Sequence, residues 1–246
     1  MQALKTAGQA RTREELLSKH RLPMLKKAYD EVVATLPANS IYPGIADVFV
    51  HPAVQENINL PMTVEVKEKD FKLGSLFSEI TAQWKKDVKE RLIAMIPDNC
   101  IPENTKKSAN LFELATVSFH CDSLGCPARD ASLRYPEVMM HWCSSTVSKY
   151  YNETVEDADL RIVKDRFFSV TWNATSGIKF SERAFKFLSE AVKMCGLDPI
   201  TTTVTQMDEM SSIFECMTCN DEYYGRATMG WDNLVCQVID LLLYPH

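Results

Sequence analysis

Glycine is scarce. Only 8 of the 246 residues are glycine, which argues against a glycine-rich loop protein and against an all-β fold with its many tight turns. No stretch approaches the ~18 uninterrupted apolar residues of a membrane span. The opening MQALKTAGQARTREELL has no apolar core and no small-residue cleavage site of a secretory leader. The expected setting is therefore intracellular, cytoplasmic or nuclear, where thiols stay reduced. Three catalytic or ligand frames are also missing from the sequence: H-E-x-x-H, H-x-E paired with P-C-x-x-C, and the D-x-D-x-D-G frame of a calcium loop. The eight cross-braced ligands of a RING are missing as well. With no acid–base or nucleophile constellation left, the expectation is a protein that is not an enzyme.

Positive charge is short too. The formal net charge is −6, and the basic residues fall in scattered pairs, Lys26–Lys27, Lys85–Lys86 and Lys106–Lys107, beside acids or on polar helix faces. A nucleic-acid binder needs a basic face to neutralise phosphates, so these pairs read as solvated surface. What remains is ordinary globular material, 46 % hydrophobic and 24 % charged, enough for one large domain or two small ones.

Residues 1–10 are polar and small and are expected to fray. A helical region is expected over 11–97. Leu16, Leu17, Leu25, Ala28, Tyr29, Val32 and Val33 recur at three-and-four spacing, with Pro23 imposing a kink or a break. Pro52 divides Ile45–Leu60 into two short helices. Val64–Phe71 is a connector. Leu76, Ile80, Trp84, Val88, Leu92 and Met95 mark one face of a long helix that Pro97 stops. The turn-rich 97–108 stretch separates this half from a second one, 109–246, unless the two form one continuous domain. In the second half Ala115–Cys121 reads as a strand, Ser132–Tyr135 as its returning partner, and Pro136 as the start of a short helix. Ile162–Trp172 is apolar enough to be buried. Ser181 opens a helix that Gly196 closes. The predicted fold class is mainly α with small β hairpins at zinc knuckles, that is α+β, with a helical N-terminal half and a zinc-finger-like C-terminal half.

The cysteines carry the strongest signal. Phe119–Cys143, FHCDSLGCPARDASLRYPEVMMHWC, spaces Cys121, Cys126, His141 and Cys143 as C-x4-C-x14-H-x-C. Two close cysteines supply one half of a site, and a His and a Cys two residues apart supply the other. Four N/S donors in two pairs are what a tetrahedral structural zinc needs, with no position left for water. The competing account is three buried cysteines and an unrelated histidine. His120 is a rival ligand, but neighbours on a strand point to opposite faces, so only one of His120 and Cys121 can face a metal.

A second pair, Cys216-x2-Cys219, lies in IFECMTCN and is followed by an amphipathic pattern over Trp231–Leu243, as in a ββα finger. The remaining candidates are Cys236 and His246, giving C-x2-C-x16-C-x9-H. Nine intervening residues span about 13–15 Å of helix at 1.5 Å rise. Either the helix breaks at Tyr244–Pro245 and folds back, or the set is incomplete. One Zn2+ is expected, and two if this set also binds.

The strings FxCxxxxC…LxYPxVxxHxC, CGLDPxTTT and MD…xFxCxxC…MxW, together with a connector ending in Asp70–Phe71 and a Trp-bearing helix ending LIxxIP, resemble a large, mostly uncharacterised protein family of mushroom-forming fungi. The resemblance covers nearly the whole chain, and members are often described as F-box-containing or hypothetical proteins. By the resemblance, Cys121, Cys126, His141 and Cys143 match the family's first Cys/His cluster, and Cys216 and Cys219 match its second pair. The family usually has a His six residues after the Trp. Here Gln237 stands at that place, Cys236 one residue before it, and His246 ends the chain. No F-box is discernible at the N-terminus.

The expected function is a non-enzymatic, zinc-stabilised protein-interaction domain, with an F-box-family-like adaptor or client-recognition role implied by the resemblance. The alternative is a nucleic-acid-binding or transcription-regulating zinc-finger protein. The expected partner is another protein. Nucleic acid and membrane are not expected, and the sequence does not indicate an oligomeric state.

Overall fold

The structure is a computed structural model that describes residues 12–108, 110–123, 126, 132–147, 157–221 and 225–234, with the side chains of 216–221 outside the description. The chain forms two compact units. One takes residues up to Glu90 together with Met139–Ser176, and the other Arg91–Val138 together with residues from Gly177 onward. Helices dominate, and the described strands form two antiparallel two-stranded sheets, the mainly α composition with small β elements that the periodicity predicts. Among the described residues no helix is long and apolar enough to cross a membrane.

The first unit begins with a π-helix, Leu16–Arg21, running directly into the α-helix Leu22–Val33. Pro23 explains the junction. It cannot donate a backbone hydrogen bond, so the turn before it widens and the Leu22 N–H reaches back to the Leu17 carbonyl. The helix changes register here and is not simply cut. Pro52 acts as expected, separating Ile45–Phe49 from Pro52–Ile58 and standing in the first turn of the second. The long helix Leu73–Ala94 buries Leu73, Phe77, Ile80, Trp84, Val88 and Leu92 along one stripe. In the first unit the core gathers Leu17, Leu22, Leu25, Phe49, Ile58, Phe71, Phe77 and Val163. Val163 comes from the helix Ala158–Phe167. The apolar 162–172 stretch is therefore not uniformly buried: Val170 and Trp172 are, but Phe168 is 46 % exposed. Phe168 caps that helix in the left-handed conformation, φ 53°, which turns its side chain off the helix face.

Scarce glycine has a visible consequence. Among the described residues, only the helix Glu182–Met194 is followed by a glycine in the left-handed region, Gly196 at φ 74°. Lys72, Phe168 and Ser211 do the same at other helix ends with φ 51°, 53° and 48°, at a strain of about 1 kcal/mol each.

Arg21 shows how the first unit holds its loop over 60–64. The residue is 2 % exposed, and its Nη2 donates to the carbonyls of Leu60, Pro61 and Val64 at 3.1, 3.0 and 3.0 Å. Burial, with the nearby Arg13 charge second, lowers its pKa, yet a guanidinium stays charged at neutral pH. Arg21→Met keeps the length and removes the donors. It is expected to lower stability by about 2–3 kcal/mol, since three charge-assisted bonds to loop carbonyls are lost and only that of Pro61 keeps another donor, the Val64 N–H. A urea midpoint equal to that of the parent would contradict this.

In the second unit β1, Phe119–Cys121, pairs with β2, Ile178–Phe180, in the register Phe119↔Phe180, His120↔Lys179, Cys121↔Ile178. This corrects two expectations. The strand does not start at Ala115, because 114–117 form a turn closed by Val117 N–H to Leu114 O. The segment over 132–135 is not the returning strand; Leu133 makes a single bridge to Phe119. After β2, Ser181 caps the helix Glu182–Met194 by accepting from the Ala184 N–H, as the sequence indicates. β3, Ile213–Asp221, and β4, Gly225–Gly230, form the second sheet, and a 3-10 turn at Trp231–Asn233 follows. A core of Ala115, Ala184, Leu188, Val192, Met207 and Trp231 joins these elements.

Candidate metal centre

Strand alternation places the first donor. Phe119 and Cys121 are fully buried on one face of β1, while His120 on the other bonds Asp122 through Nε2 at 2.9 Å. Asp122 also takes a bond from Lys179, and that bond, followed by His120, lowers its carboxyl pKa. His120 is thus engaged on the outer face and is not among the four grouped donors. The Asp122 N–H donates to the Gly177 carbonyl at 2.8 Å, ending the strand pairing, and the Cys126 N–H donates to Ser123 O at 3.1 Å, turning the chain back with a second thiol.

The other two donors come from short 3-10 pieces. Glu137–Met140 leads to His141, which is extended at φ −60°, ψ 123° and caps a second 3-10 turn, Trp142–Ser144. The expected helix after Pro136 is thus two short tight turns, and the peptide before Pro136 is cis. The extended His141 between them lets His141 and Cys143 flank a single residue, Trp142, that points elsewhere and is 51 % exposed.

The structure brings together Cys121, Cys126, His141 and Cys143, with one donor atom from each all within 4.8 Å of one another. The three thiols are 0, 6 and 4 % exposed and His141 is 9 % exposed. Zinc with Zn–S of about 2.3 Å and Zn–N of about 2.0–2.1 Å sets tetrahedral donor separations near 3.6–3.8 Å. The widest pair therefore needs to close by at most about 1 Å. Three soft sulfurs with one imidazole suit zinc among the common cations and are unlike the all-oxygen shells of calcium or magnesium. Burial lowers the His141 pKa, which keeps the ring neutral and able to bind a metal at neutral pH. The group can hold one metal ion, and its chemistry fits zinc.

Neither Cys100, which is buried, nor Cys195, whose thiol contacts the Ser212 hydroxyl at 3.5 Å, belongs to the group. Cys216 and Cys219 fall in β3, whose register slips between Glu215 and Asn220; their side chains lie outside the described residues, as do Cys236 and His246 entirely. Sequence reading missed Ser144, Thr146 and Arg134, which hold the segments carrying the donors. Their signal is a hydrogen-bond pattern, visible only in the fold. Among known proteins, no family model matches this chain, and neither a curated protein nor a solved structure matches it.

Proposed function

We propose that the protein is a non-enzymatic interaction domain stabilised by one zinc ion held by Cys121, Cys126, His141 and Cys143. The observation that carries this reading is the buried convergence of four N/S donors. Four protein ligands fill a tetrahedral shell, and a metal with no open position serves stability and not chemistry. A surface suited to a protein partner adjoins it in sequence: Trp142 is 51 % and Met140 41 % exposed. Large, rigidly presented aromatic side chains are the type that anchors protein interfaces. The adaptor or client-recognition role, implied by the likeness to the F-box-labelled fungal family, belongs to this same reading. A zinc-finger-like second site at Cys216, Cys219, Cys236 and His246 would add a second ion.

Cobalt substitution tests the closed shell. The cobalt form is expected to show tetrahedral d–d bands with thiolate charge transfer, unchanged by excess azide. An azide-dependent shift would reveal an open position and defeat the non-enzymatic reading. Zinc content is expected to be one per chain. A content of two, falling to one in Cys216→Ser/Cys219→Ser, assigns the second ion to that set. Salt-sensitive retention on DNA would favour the nucleic-acid alternative over a protein partner.

A further inference from the structure

The ligands His141 and Cys143 are separated by two peptide groups, and both have their carbonyls tied down from outside the pair. The His141 carbonyl accepts from the Ser144 hydroxyl at 2.7 Å and the Ser144 N–H at 2.9 Å. The Trp142 carbonyl accepts from the Thr146 hydroxyl at 2.6 Å and the Thr146 N–H at 3.1 Å. Ser144 is 1 % exposed, so its hydroxyl has no solvent alternative. Its own carbonyl accepts from the Asn173 N–H, and the next one, of Ser145, accepts from Val170 N–H at 2.9 Å. The turn carrying two ligands is thereby pinned to the 168–173 stretch.

Fixing both peptide planes fixes φ and ψ of Trp142, and with them the separation of the His141 and Cys143 Cα atoms from which the imidazole and the thiol project. We infer that Ser144 and Thr146 are positioning residues of the zinc site: their hydroxyls set the spacing of the His-x-Cys ligand pair before the metal arrives. The inference rests on the zinc reading above. Its physical basis is that an ion demanding a tetrahedron binds a pre-set ligand pair more tightly than one it must order itself.

Thr146→Val removes the hydroxyl while keeping the shape, Thr146→Ser keeps the hydroxyl, and Ser144→Ala removes the buried one. Zinc affinity is read by competition with a chromophoric chelator, and melting is followed with and without zinc. Thr146→Val and Ser144→Ala are each expected to weaken zinc binding about 10-fold, the low end for outer-shell partners, with Thr146→Ser close to the parent. The gap between zinc-bound and zinc-free melting temperatures should shrink in the two weakened variants. Affinities within twofold of the parent, or equal losses in Thr146→Val and Thr146→Ser, would overturn the positioning role while leaving the zinc site standing. A parent chain that takes up no zinc would bring down the zinc reading itself, and this inference with it.

Discussion

Cys143→Ser is expected to lose the zinc ion and to unfold the segments that carry the ligands. Cys143 is 4 % exposed and Cys121 fully buried, so neither thiolate can be replaced by water without opening the structure. A serine hydroxyl has nearly the right size, but it is a poor zinc ligand at neutral pH because it stays protonated. Structural zinc contributes about 10–16 kcal/mol of apparent binding free energy in small peptides. Even about a third of that is a large part of a domain's net stability of roughly 5–15 kcal/mol. A loss of at least about 4 kcal/mol is therefore expected for Cys143→Ser, and likewise for Cys121→Ser, together with a zinc content falling by one. Cys100→Ser is the control. Cys100 is also buried but outside the four-donor group, so zinc content should not change. Parent-like melting and parent-like metal content in Cys143→Ser would rule the site out as structural.

Acid should act in the same direction. Burial places the folded His141 pKa below the ordinary value of 6.5. The unfolded chain therefore takes the proton first, and stability is lost as pH falls below about 6.5. Zinc makes the loss steeper, because protons compete with the ion for three thiolates and one imidazole. Metal release followed against pH should thus track unfolding in the parent chain, and release complete well before or well after the unfolding transition would contradict this.

What could be read from the chain alone was what depends on near neighbours. Ser181 and Gly196 bracket a helix because a cap and a left-handed terminus are settled within one turn. Pro52 divides two helices for the same reason. The first ligand set was legible because its spacing is chemistry written at close range. β1 is different. Its partner, Ile178–Phe180, is only three residues long and nearly sixty residues downstream, and its single apolar–polar–apolar alternation is too short to mark a strand, whereas the nearer Leu133 gave a plausible hairpin and makes one bridge. Phe168 looked like core by composition, and its side chain was turned outward by a backbone conformation that no composition reveals. The two compact units escape a linear reading too, since each is assembled from stretches that are far apart in sequence.

Arg134→Met is the second large effect expected. The Arg134 guanidinium donates to the carbonyls of Ala115 at 3.0 Å and Val117 at 3.4 Å, in the turn that leads into β1 and so into Cys121. Its carbon centre lies 4.9 Å from the ring centroid of Trp231, and the Trp231 indole N–H donates to Asp208 at 2.9 Å. Burial lowers the Arg134 pKa, while the charges of Asp208 and Asp232 oppose that shift. Methionine preserves much of the apolar contact but leaves two carbonyls without donors and Trp231 without its cation. Charge-assisted bonds contribute about 1.5–3 kcal/mol each, and a partly desolvated cation–π pair about 1–2 kcal/mol. Allowing for the weaker, 3.4 Å bond, the expected loss is about 3 kcal/mol by urea denaturation. Arg134→Lys should recover less than half of it, since one ammonium cannot span both carbonyls and stack flat on an indole. A double-mutant cycle with Trp231→Leu separates the pair from the carbonyl bonds and should give a coupling of about 1 kcal/mol. Parent-like stability in Arg134→Met, or full recovery in Arg134→Lys, would show that charge or bulk alone suffices there. The expected loss instead ties the turn before Cys121 to the planar fork of one arginine, so that the fold of the second unit and the placement of its first zinc ligand fail together.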